Sequence, residues 1–343
     1  MASLEAAQPL KHGSNEKTVT VLQFNVSHEC MNPKLEIGND EVALQLFLRQ
    51  QGIENPFDNI LRLISKDLTK KKDVYYFQEV DPNNPENWER LLGIFDLDSK
   101  LLLEVGIVNS EKWCAILSNP MGKFKARVMT VYNIEKLGSV SNNFDFNLGW
   151  EPDGRPCQVI FTENYHILIN VHFPQPIAVL KNLNGGIKCT NEEFMILLSS
   201  HFNKCYANAI NFRSTSSVTL QSITGNADLV SCAHGFSSQN FEEGSSWDEK
   251  VKAVRYMGAK NARGSDYIFS NTTRCDHRVI HMEDILECGS DHLPVEACVD
   301  ISEPTVIVGG DFNIGNKPSE GGNASVYFDD TAEHVLNLKI LTP

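Results

Sequence analysis

The stretch VIVGGDFNIG, residues 306–315, decides the fold because it combines a buried-strand pattern with chemistry at the strand's end. Val306, Ile307 and Val308 form a branched apolar run that is typical of a buried strand. Two glycines follow, and then Asp311 and Asn313 stand where the strand stops. A lone acidic residue at a strand end is most often a turn former. The decisive question is whether other strands of this chain end in the same way.

Seven further apolar runs have the length and composition of strands, being rich in Val, Ile, Phe and Tyr. They cover residues 19–26, 73–80, 114–119, 157–163, 165–173, 266–271 and 292–299. Apolar residues at steps of three and four predict helices over 40–52, 55–68 and 190–210. Strands that alternate with helices, together with strands that follow one another directly, predict a four-layer α/β sandwich. In this fold two central mixed β-sheets are flanked by helices.

The chain of 343 residues is long enough for one large core, and it shows no internal repeat or low-complexity linker. We expect a mobile N-terminal tail over residues 1–17 and a single domain over 18–343. Within that domain, 302–343 should form a strand, a loop and a helix. Segments 82–110 and 211–262 carry no clear pattern.

The composition favours a soluble globular protein, with 41% hydrophobic and 22% charged residues. The net charge of −14 argues against a broad basic surface for nucleic acid, although an enzyme needs only a local positive site such as a metal. No run approaches the ~18 apolar residues of a membrane span, and the N-terminus lacks the apolar region of a secretory signal. Nine scattered cysteines without a CxxC pair indicate reduced thiols. We therefore expect a cytoplasmic or nuclear protein, and we expect it to be a monomer.

Polar side chains mark the ends of six predicted strands. At the C-terminal ends of four strands lie Asn25, Glu79, Asn170 with His172, and Asp311 with Asn313, and at the N-terminal ends of two others lie Asp266 and Asp291 with His292. If the first four strands run opposite to the other two, all six tips meet at one edge of the sheets. Each residue alone has an ordinary structural explanation as a turn former or a satisfied buried side chain. Six such tips together predict a site.

Two other hydrolase classes fit the sequence poorly. Contiguous Ser290, Asp291 and His292 invite a serine-hydrolase interpretation, but neighbours in an extended chain point to opposite faces. The GxSxG turn that would carry a nucleophilic serine is also absent from the sequence. A calcineurin-like two-metal phosphatase would require further ligand motifs such as GNH, which the sequence lacks.

The motifs resemble those of the endonuclease/exonuclease/phosphatase (DNase I-like) superfamily. They are Phe24-Asn25, Gln78-Glu79, Asn170-Val171-His172, DYIF at 266–269, SDHLPV at 290–295 and GDFN at 310–313. The resemblance covers roughly residues 19–315, and the GDFN and SDHLPV motifs are its more specific parts. It implies the two-sheet sandwich already predicted from the pattern of strands and helices.

One departure from the family concerns the order of the motifs. In the family the GDFN strand precedes the DYIF strand, whereas here it follows SDHLPV, so the segment 302–343 is transposed. Two routes remain open for it. The GDFN strand can pair as a hairpin with the strand at 292–299, or it can cross beneath the sheet to its usual position. Either route brings Asp311 to the same edge as the other tips.

The resemblance implies a Mg²⁺-dependent hydrolase of phosphoester bonds, with Mn²⁺ as the alternative ion. It implies Glu79, Asn25 and Asp291 as metal ligands, His172, Asp266, Asp311, Asn313 and His292 as catalytic residues, and Asn170, Asn313, His172 and His292 as phosphate-binding residues. Carboxylate oxygens are the donors that Mg²⁺ prefers. A carboxylate such as Asp311 can orient or deprotonate an attacking water, and Asp266 can fix the orientation of His292.

Several functions remain open within this resemblance. A phosphodiesterase acting on nucleic acid is slightly favoured, because the inositol phosphatases' tryptophan-cysteine-aspartate-arginine signature is absent. A phosphomonoesterase of inositol phosphates and a sphingomyelinase-like phosphodiesterase are the alternatives, and a catalytically silent binding module is a third. Arg155 and Arg263 are more simply explained as solvated than as phosphate contacts. Lys70, Lys71 and Lys72 should form a solvated face at a helix end.

Overall fold

The structure is a computed structural model. It describes residues 17–31, 55–68, 72–122, 125–149, 154–174, 191–213, 221–222, 227–234, 266–271, 275–279, 290, 292, 294–312, 335–338 and 341–342. The predicted helix at 40–52 lies outside these residues. So does the predicted N-terminal tail, apart from Lys17, whose carbonyl oxygen accepts a hydrogen bond from the Ile301 N–H.

The first sheet contains seven strands of the described residues, in the order β12-β13-β1-β2-β5-β4-β3. Numbered along the chain, they are β1 (Thr18–Asn25), β2 (Val74–Gln78), β3 (Ile107–Asn109), β4 (Trp113–Leu117), β5 (Val128–Asn133), β12 (Cys275–Val279) and β13 (Val295–Asp300). Strand β1 is parallel to β2 and antiparallel to β13, so the sheet is mixed.

The second sheet also contains seven of the described strands, in the order β15-β10-β11-β14-β8-β7-β6. They are β6 (Val140–Asn147), β7 (Pro156–Thr162), β8 (Ile167–His172), β10 (Ala227–His234), β11 (Asp266–Ser270), β14 (Val306–Asp311) and β15 (Val335–Leu338). Strand β14 is parallel to β8 and antiparallel to β11, so this sheet is mixed as well. A separate short pair joins β9 (Gln221–Ser222) to β16 (Leu341–Thr342).

Six helices are present among the described residues. They are α1 (His28–Met31), α2 (Phe57–Leu68), α3 (Pro85–Gly93), α4 (Ser99–Val105), α5 (Ile134–Leu137) and α6 (Asn191–Arg213). Helices α2 and α6 confirm two predicted helices, whereas α3 and α4 fall in a segment without a clear sequence pattern. Capping residues explain why these two helices begin and end where they do. The Asn84 side chain accepts from the Asn87 N–H with a proline at the first turn, and Asp98 caps α4 while left-handed Gly106 ends it.

The layers follow from which face of each strand is apolar. Val21, Tyr76, Ile268 and Ile307 belong to the core between the two sheets. The outer face of the first sheet packs against helices α1 to α4. The outer face of the second sheet packs against α6. The predicted four-layer sandwich of two mixed sheets flanked by helices is therefore confirmed.

The chain crosses from the first sheet to the second between β13 and β14, which settles the route of the GDFN strand. Strand β13 pairs with β1 in the first sheet, whereas β14 lies between β8 and β11 in the second. The hairpin alternative is therefore wrong. The short connection after β13 is tied to the second sheet, where the Ile167 N–H donates to the Thr305 carbonyl oxygen. Further along this segment we expected a helix, but its described residues form strands β15 and β16.

The basic run before β2 includes a lysine that is buried, contrary to expectation. Lys72, which we expected on a solvated face, is 2% exposed and forms an ion pair with buried Glu296. Lys70 and Lys71 lie outside the described residues. None of the described helices is both long and apolar enough to cross a bilayer.

Candidate active site

The site arises because the inward-facing positions of several strands change from apolar to polar at the same edge of the sandwich. Side chains two residues apart share a face of a strand. In β1, Val21 lies between the sheets, so Asn25 points the same way from the end of the strand. Five more inward-facing side chains are polar in this way and buried: Gln78, Asn170, His172, Asp266 and Asp311.

Asp311 lies at the centre of the group. Its position follows from register, since it is paired with His172 of the parallel neighbour and with Asp266 of the antiparallel neighbour. The Asn25 side chain donates from Nδ2 to Asp311 Oδ2 over 3.1 Å. The same carboxylate oxygen lies 3.6 Å from His172 Nε2 and 3.9 Å from His292 Nε2. One buried carboxylate therefore connects both histidines of the site.

Glu79 follows β2 and reaches the group from its solvent side. Its Oε1 lies 3.6 Å from His172 Nε2, and its side chain is 25% exposed. Its Oε2 accepts from the backbone N–H of His28 over 3.3 Å. The backbone of Glu79 has a φ of 57°, a left-handed conformation that costs a non-glycine residue about 1–3 kcal/mol. Such strain is typical of functional sites, where a side chain must be turned in a particular direction.

His292 and Asp266 form a buried pair on the other side of Asp311. The distance between His292 Nδ1 and Asp266 Oδ2 is 2.9 Å, and both side chains are at most 2% exposed. The Ser290 hydroxyl donates to the Asn25 carbonyl oxygen over 2.7 Å, and the His292 N–H donates to the Ser290 oxygen. These bonds tie the SDHLPV segment to the end of β1. His292 therefore presents Nε2 to the site, 3.4 Å from Asn25 Nδ2.

The surroundings of His172 disfavour protonation of its imidazole ring. Burial, together with the positive charges of Arg155 and His292, keeps the pKa of His172 well below its ordinary value. Its Nδ1 has no hydrogen-bond partner among the described residues, while Nε2 faces two carboxylates. A neutral imidazole can donate one hydrogen bond and accept another.

Asn170 lies behind the site. Its Nδ2 is directed at the carbonyl oxygens of Phe77 (3.3 Å) and Met129 (3.0 Å) and at the Thr130 hydroxyl (3.2 Å). Its Oδ1 accepts from Gln78 Nε2 over 2.7 Å. These protein partners engage both ends of the fully buried amide. Asn170 is therefore placed to support the ends of the neighbouring strands, and not to contact a phosphate as predicted.

Sequence reasoning missed Gln23 and gave no role to Gln78. Gln23 Nε2 donates to Gln78 Oε1 over 2.7 Å and to Asp266 Oδ1 over 2.8 Å. A signal was present, because Gln23 shares the inward face of β1 with Asn25, and Gln78 shares that of β2 with Tyr76. Asp291 and Asn313, both predicted site residues, lie outside the described residues, as does Arg263.

The donor set fits a divalent cation that prefers oxygen ligands. Ligand atoms of Glu79, His172 and Asp311 all lie within 4.8 Å of one another, and so do those of Asp266, His292 and Asp311. Each group contains two carboxylates, Glu79 with Asp311 or Asp266 with Asp311, and two carboxylates at this spacing repel each other unless a cation or a proton intervenes. Asn25 directs its amide nitrogen at Asp311, since its Oδ1 accepts from the Ser27 N–H over 3.0 Å.

Comparisons with known proteins find similarity at the level of solved structures. No family model and no curated protein matches the sequence. The endonuclease/exonuclease/phosphatase from Bacteroides vulgatus is 14% identical, with a TM-score of 0.40, and the match covers 82% of this chain and 98% of that one. Truncated TDP2 from Caenorhabditis elegans is 11% identical, with a TM-score of 0.40 and coverage of 82% and 97%. The catalytic domain of human Nocturnin with bound sulfate anion is 10% identical, with a TM-score of 0.38 and coverage of 83% and 96%.

The fold and the site define a class: an α/β sandwich with a carboxylate–histidine centre at one edge of its two sheets. The Bacteroides neighbour bears the name of the superfamily that the motifs resemble. Likeness at these identities and TM-scores does not establish a shared activity.

Proposed function

We propose that this chain is a Mg²⁺-dependent phosphodiesterase that hydrolyses its substrate by in-line attack of water at phosphorus, with nucleic acid as the favoured substrate. The observation that carries the proposal is the position of Asp311. Its Oδ2 lies 3.6 Å from His172 and 3.9 Å from His292, and its neighbour Glu79 also lies 3.6 Å from His172. Acid, base and hydrogen-bond donors therefore converge on one small volume, as hydrolysis requires.

Each residue of the site is assigned a separate role in the reaction. Asp311, held by Asn25, orients the attacking water and accepts its proton as the new bond to phosphorus forms. His292, oriented by Asp266, donates from Nε2 to a non-bridging phosphate oxygen on which charge grows. Neutral His172 donates a hydrogen bond to the leaving oxygen as its bond to phosphorus breaks. Asn313 and Asp291 keep the roles that the resemblance implies, beside the phosphate and the metal.

Glu79 would hold the metal, with Asp311 the adjacent carboxylate, whereas the predicted ligand Asn25 turns its amide nitrogen rather than its oxygen towards Asp311. The chemistry that such an ion supplies is neutralisation of charge on the phosphate. Carboxylate oxygens favour Mg²⁺, whereas imidazole favours softer ions, so His172 is assigned to the substrate. Mn²⁺ is the expected substitute. Asn170 supports His172 and the ends of the strands from behind.

The preference for nucleic acid rests on the motifs. The DYIF and SDHLPV segments resemble the nuclease and deadenylase forms of the superfamily. The signature of the inositol phosphatases is absent from the sequence. Among the described cysteines, Cys114, Cys157 and Cys205 carry reduced thiols, which suits a reducing compartment such as the cytoplasm or nucleus.

A hydrolysis panel tests the proposal. The full chain is assayed with Mg²⁺, with Mn²⁺ and with EDTA on single- and double-stranded DNA and RNA, sphingomyelin vesicles and inositol phosphates. We expect cleavage of at least one nucleic acid with either ion and none with EDTA. Cleavage of only sphingomyelin or only an inositol phosphate would keep the phosphoesterase chemistry and overturn the substrate preference.

Glu79→Gln provides the matched variant, because it removes one charge and changes neither size nor backbone. We expect it to abolish hydrolysis. The control is Glu89→Gln on the exposed side of α3, which should retain the wild-type rate. A wild-type chain that hydrolyses none of these substrates with either ion would support the silent binding module instead.

A further inference from the structure

We propose that Gln23 and Gln78 are positioning residues for this hydrolysis, acting through Asp266 on His292. The inference rests on the proposed function. A chain of buried side-chain hydrogen bonds lies directly beneath the site. Its members come from both sheets, and Gln23, Gln78 and Asp266 are each completely buried. Buried polar groups of this kind fix a conformation when every link is made.

The chain of hydrogen bonds crosses between the sheets several times. Beginning at the site, the links are His292 Nδ1 to Asp266 Oδ2 (2.9 Å), Asp266 Oδ1 to Gln23 Nε2 (2.8 Å), Gln23 Nε2 to Gln78 Oε1 (2.7 Å), Gln78 Nε2 to Asn170 Oδ1 (2.7 Å), Asn170 Nδ2 to Thr130 Oγ1 (3.2 Å) and Thr130 Oγ1 to Gln158 Oε1 (2.7 Å). Gln23, Gln78 and Thr130 belong to the first sheet. Asp266, Asn170 and Gln158 belong to the second. The chain therefore fixes the two sheets relative to each other at the height of the site.

The direction of every link is set by backbone carbonyl groups. Asn170 faces the carbonyl oxygens of Phe77 and Met129, which can only accept, so this end of its amide must be the NH₂ group. Its oxygen therefore faces Gln78, which must offer its own NH₂ group. By the same logic the Gln78 oxygen faces Gln23, and the Gln23 NH₂ group lies between the Gln78 oxygen and Asp266.

These directions fix which oxygen of Asp266 accepts from Gln23 and which faces His292. Because Gln23 offers a donor, the facing oxygen of Asp266 must accept. The other oxygen of Asp266 then accepts from His292 Nδ1–H. This selects the orientation in which His292 Nε2 faces Asp311. Without Gln23, Asp266 keeps its place in β11 but loses this hydrogen bond to its carboxylate. Without Gln78, the Gln23 amide loses an acceptor that holds its NH₂ group in place.

A double-mutant cycle between Gln23 and Asp266 tests the proposal. In the wild-type background, Gln23→Leu is expected to lower kcat about 10–100-fold with little change in KM, the size found when a supporting partner is removed. In an Asp266→Asn background, whose kcat is already low, the same change should cost less than about threefold. An equal loss in both backgrounds would overturn the proposal, because Gln23 would then act independently of Asp266.

The control comes from the far end of the same chain. Thr130→Val removes a buried hydroxyl at constant size but leaves the carbonyl oxygens that set the direction of Asn170. We expect it to lower the melting temperature while kcat stays within about threefold of wild type. A kcat loss as large as that of Gln23→Leu would assign both changes to general destabilisation and overturn a specific role for Gln23.

A readout that does not depend on turnover separates this inference from the proposed function. The Nδ1 proton of His292, followed by ¹⁵N-resolved NMR, should be protected from exchange in the wild type and in Thr130→Val. It should exchange faster in Gln23→Leu and Gln78→Met. If no substrate of the panel is hydrolysed, the proposed function fails while this comparison still decides the positioning role. Unchanged exchange in both glutamine variants would overturn that role even in an active enzyme.

Discussion

Asn25 donates a hydrogen bond of 3.1 Å from Nδ2 to Asp311 Oδ2, although 286 positions separate the two residues in the sequence. One ends the first strand of the first sheet, and the other ends a central strand of the second sheet. The contact exists because β14 crosses to the second sheet and runs parallel to β8, which turns its C-terminal end to the same edge as that of β1. A strand that comes late in the sequence therefore reaches the same edge as the first strand.

The first prediction concerns Asp311 as the group that receives the proton of the attacking water. Asp311→Asn keeps the shape of the side chain and removes its basic oxygen, so kcat should fall about 10²–10⁴-fold with a small change in KM. Steady-state hydrolysis of the substrate identified by the panel measures both constants. Asp96→Asn, an exposed change outside the site, is the matched control. An Asp311→Asn enzyme that keeps more than a tenth of the wild-type kcat would contradict the assignment.

The strands and their polar ends could be predicted from sequence because both depend on local pattern. A run such as residues 305–312 specifies a buried strand by composition alone, and its terminal Asp311 is conspicuous. Asn25, Glu79, His172, Asp266 and His292 were found in the same way. In the structure, Asn25, His172 and Asp266 lie on the inward faces of their strands because they are two or four residues from apolar side chains of the core between the sheets.

Other features were beyond local pattern because they depend on tertiary partners. Whether β14 forms a hairpin or crosses to the other sheet depends on which strand edges are free to pair. The alternation of apolar residues in a strand, and their spacing in a helix, do not specify this. The burial of Lys72 depends on Glu296, 224 positions away (296 − 72). The supporting role of Asn170 depends on carbonyl oxygens of β2 and β5. Sequence identifies which groups reach the site, whereas packing decides which of them face it.

The second prediction concerns the ion pair between Lys72 and Glu296, which is almost completely buried. Glu296→Gln removes the negative charge that is paired with the buried Lys72 ammonium, which should reduce the free energy of unfolding by about 3–5 kcal/mol. Urea unfolding at constant pH measures the loss. The exposed pair between Arg90 and Asp58 provides the comparison, since Asp58→Asn should cost at most about 1 kcal/mol.

A double variant distinguishes the effect of the buried charges on stability from the effect of side-chain packing at the same position. Replacing both partners, Lys72→Met with Glu296→Leu, removes the buried charges together. This double variant should recover most of the stability lost in Glu296→Gln, because a buried ion pair often contributes no more than an apolar pair of similar volume. A double variant less stable than Glu296→Gln would show that the pair itself stabilises the fold.

The third prediction concerns His166 and acid sensitivity. Burial, with a further contribution from Lys17, lowers the pKa of His166 below its ordinary value. Its Nδ1 accepts from the Thr305 N–H over 3.3 Å, which requires the neutral ring. The unfolded chain therefore binds a proton more readily than the folded chain. The stability that His166 contributes is complete above a pH of about 6.5 and is lost progressively as the pH falls below it.

Melting temperatures between pH 5 and pH 8 measure this effect of His166. His166→Gln retains an acceptor for the Thr305 N–H but cannot take up a proton. Its melting temperature should fall less than that of the wild type between pH 7 and pH 5. His201, whose pKa burial also lowers, contributes in the same direction in both proteins and so cancels from the comparison. Parallel pH curves for the two proteins would refute the assignment to His166.

The last prediction concerns the two glycines of β14, whose neighbours differ in kind. A Cβ at Gly309 would meet the Tyr76 ring at 2.2 Å, whereas a Cβ at Gly310 would meet the Val171 carbonyl oxygen at 2.0 Å. Both alanine substitutions should therefore reduce stability, by about 1–3 kcal/mol or more. Gly93→Ala, at a helical glycine with nothing within 4 Å, should instead stabilise by about 0.4–1 kcal/mol.

Measuring each glycine substitution again in a chain that carries a second substitution distinguishes the two glycines. In a Tyr76→Leu chain the ring is gone, so the cost of Gly309→Ala, measured by urea unfolding, should shrink. The cost of Gly310→Ala should stay the same, because a backbone oxygen of β8 cannot be removed. This pattern depends on β14 lying against β2 across the core and beside β8 within its sheet. Equal costs for Gly309→Ala in both backgrounds would be incompatible with that position, and would remove Asp311 from the site that it completes.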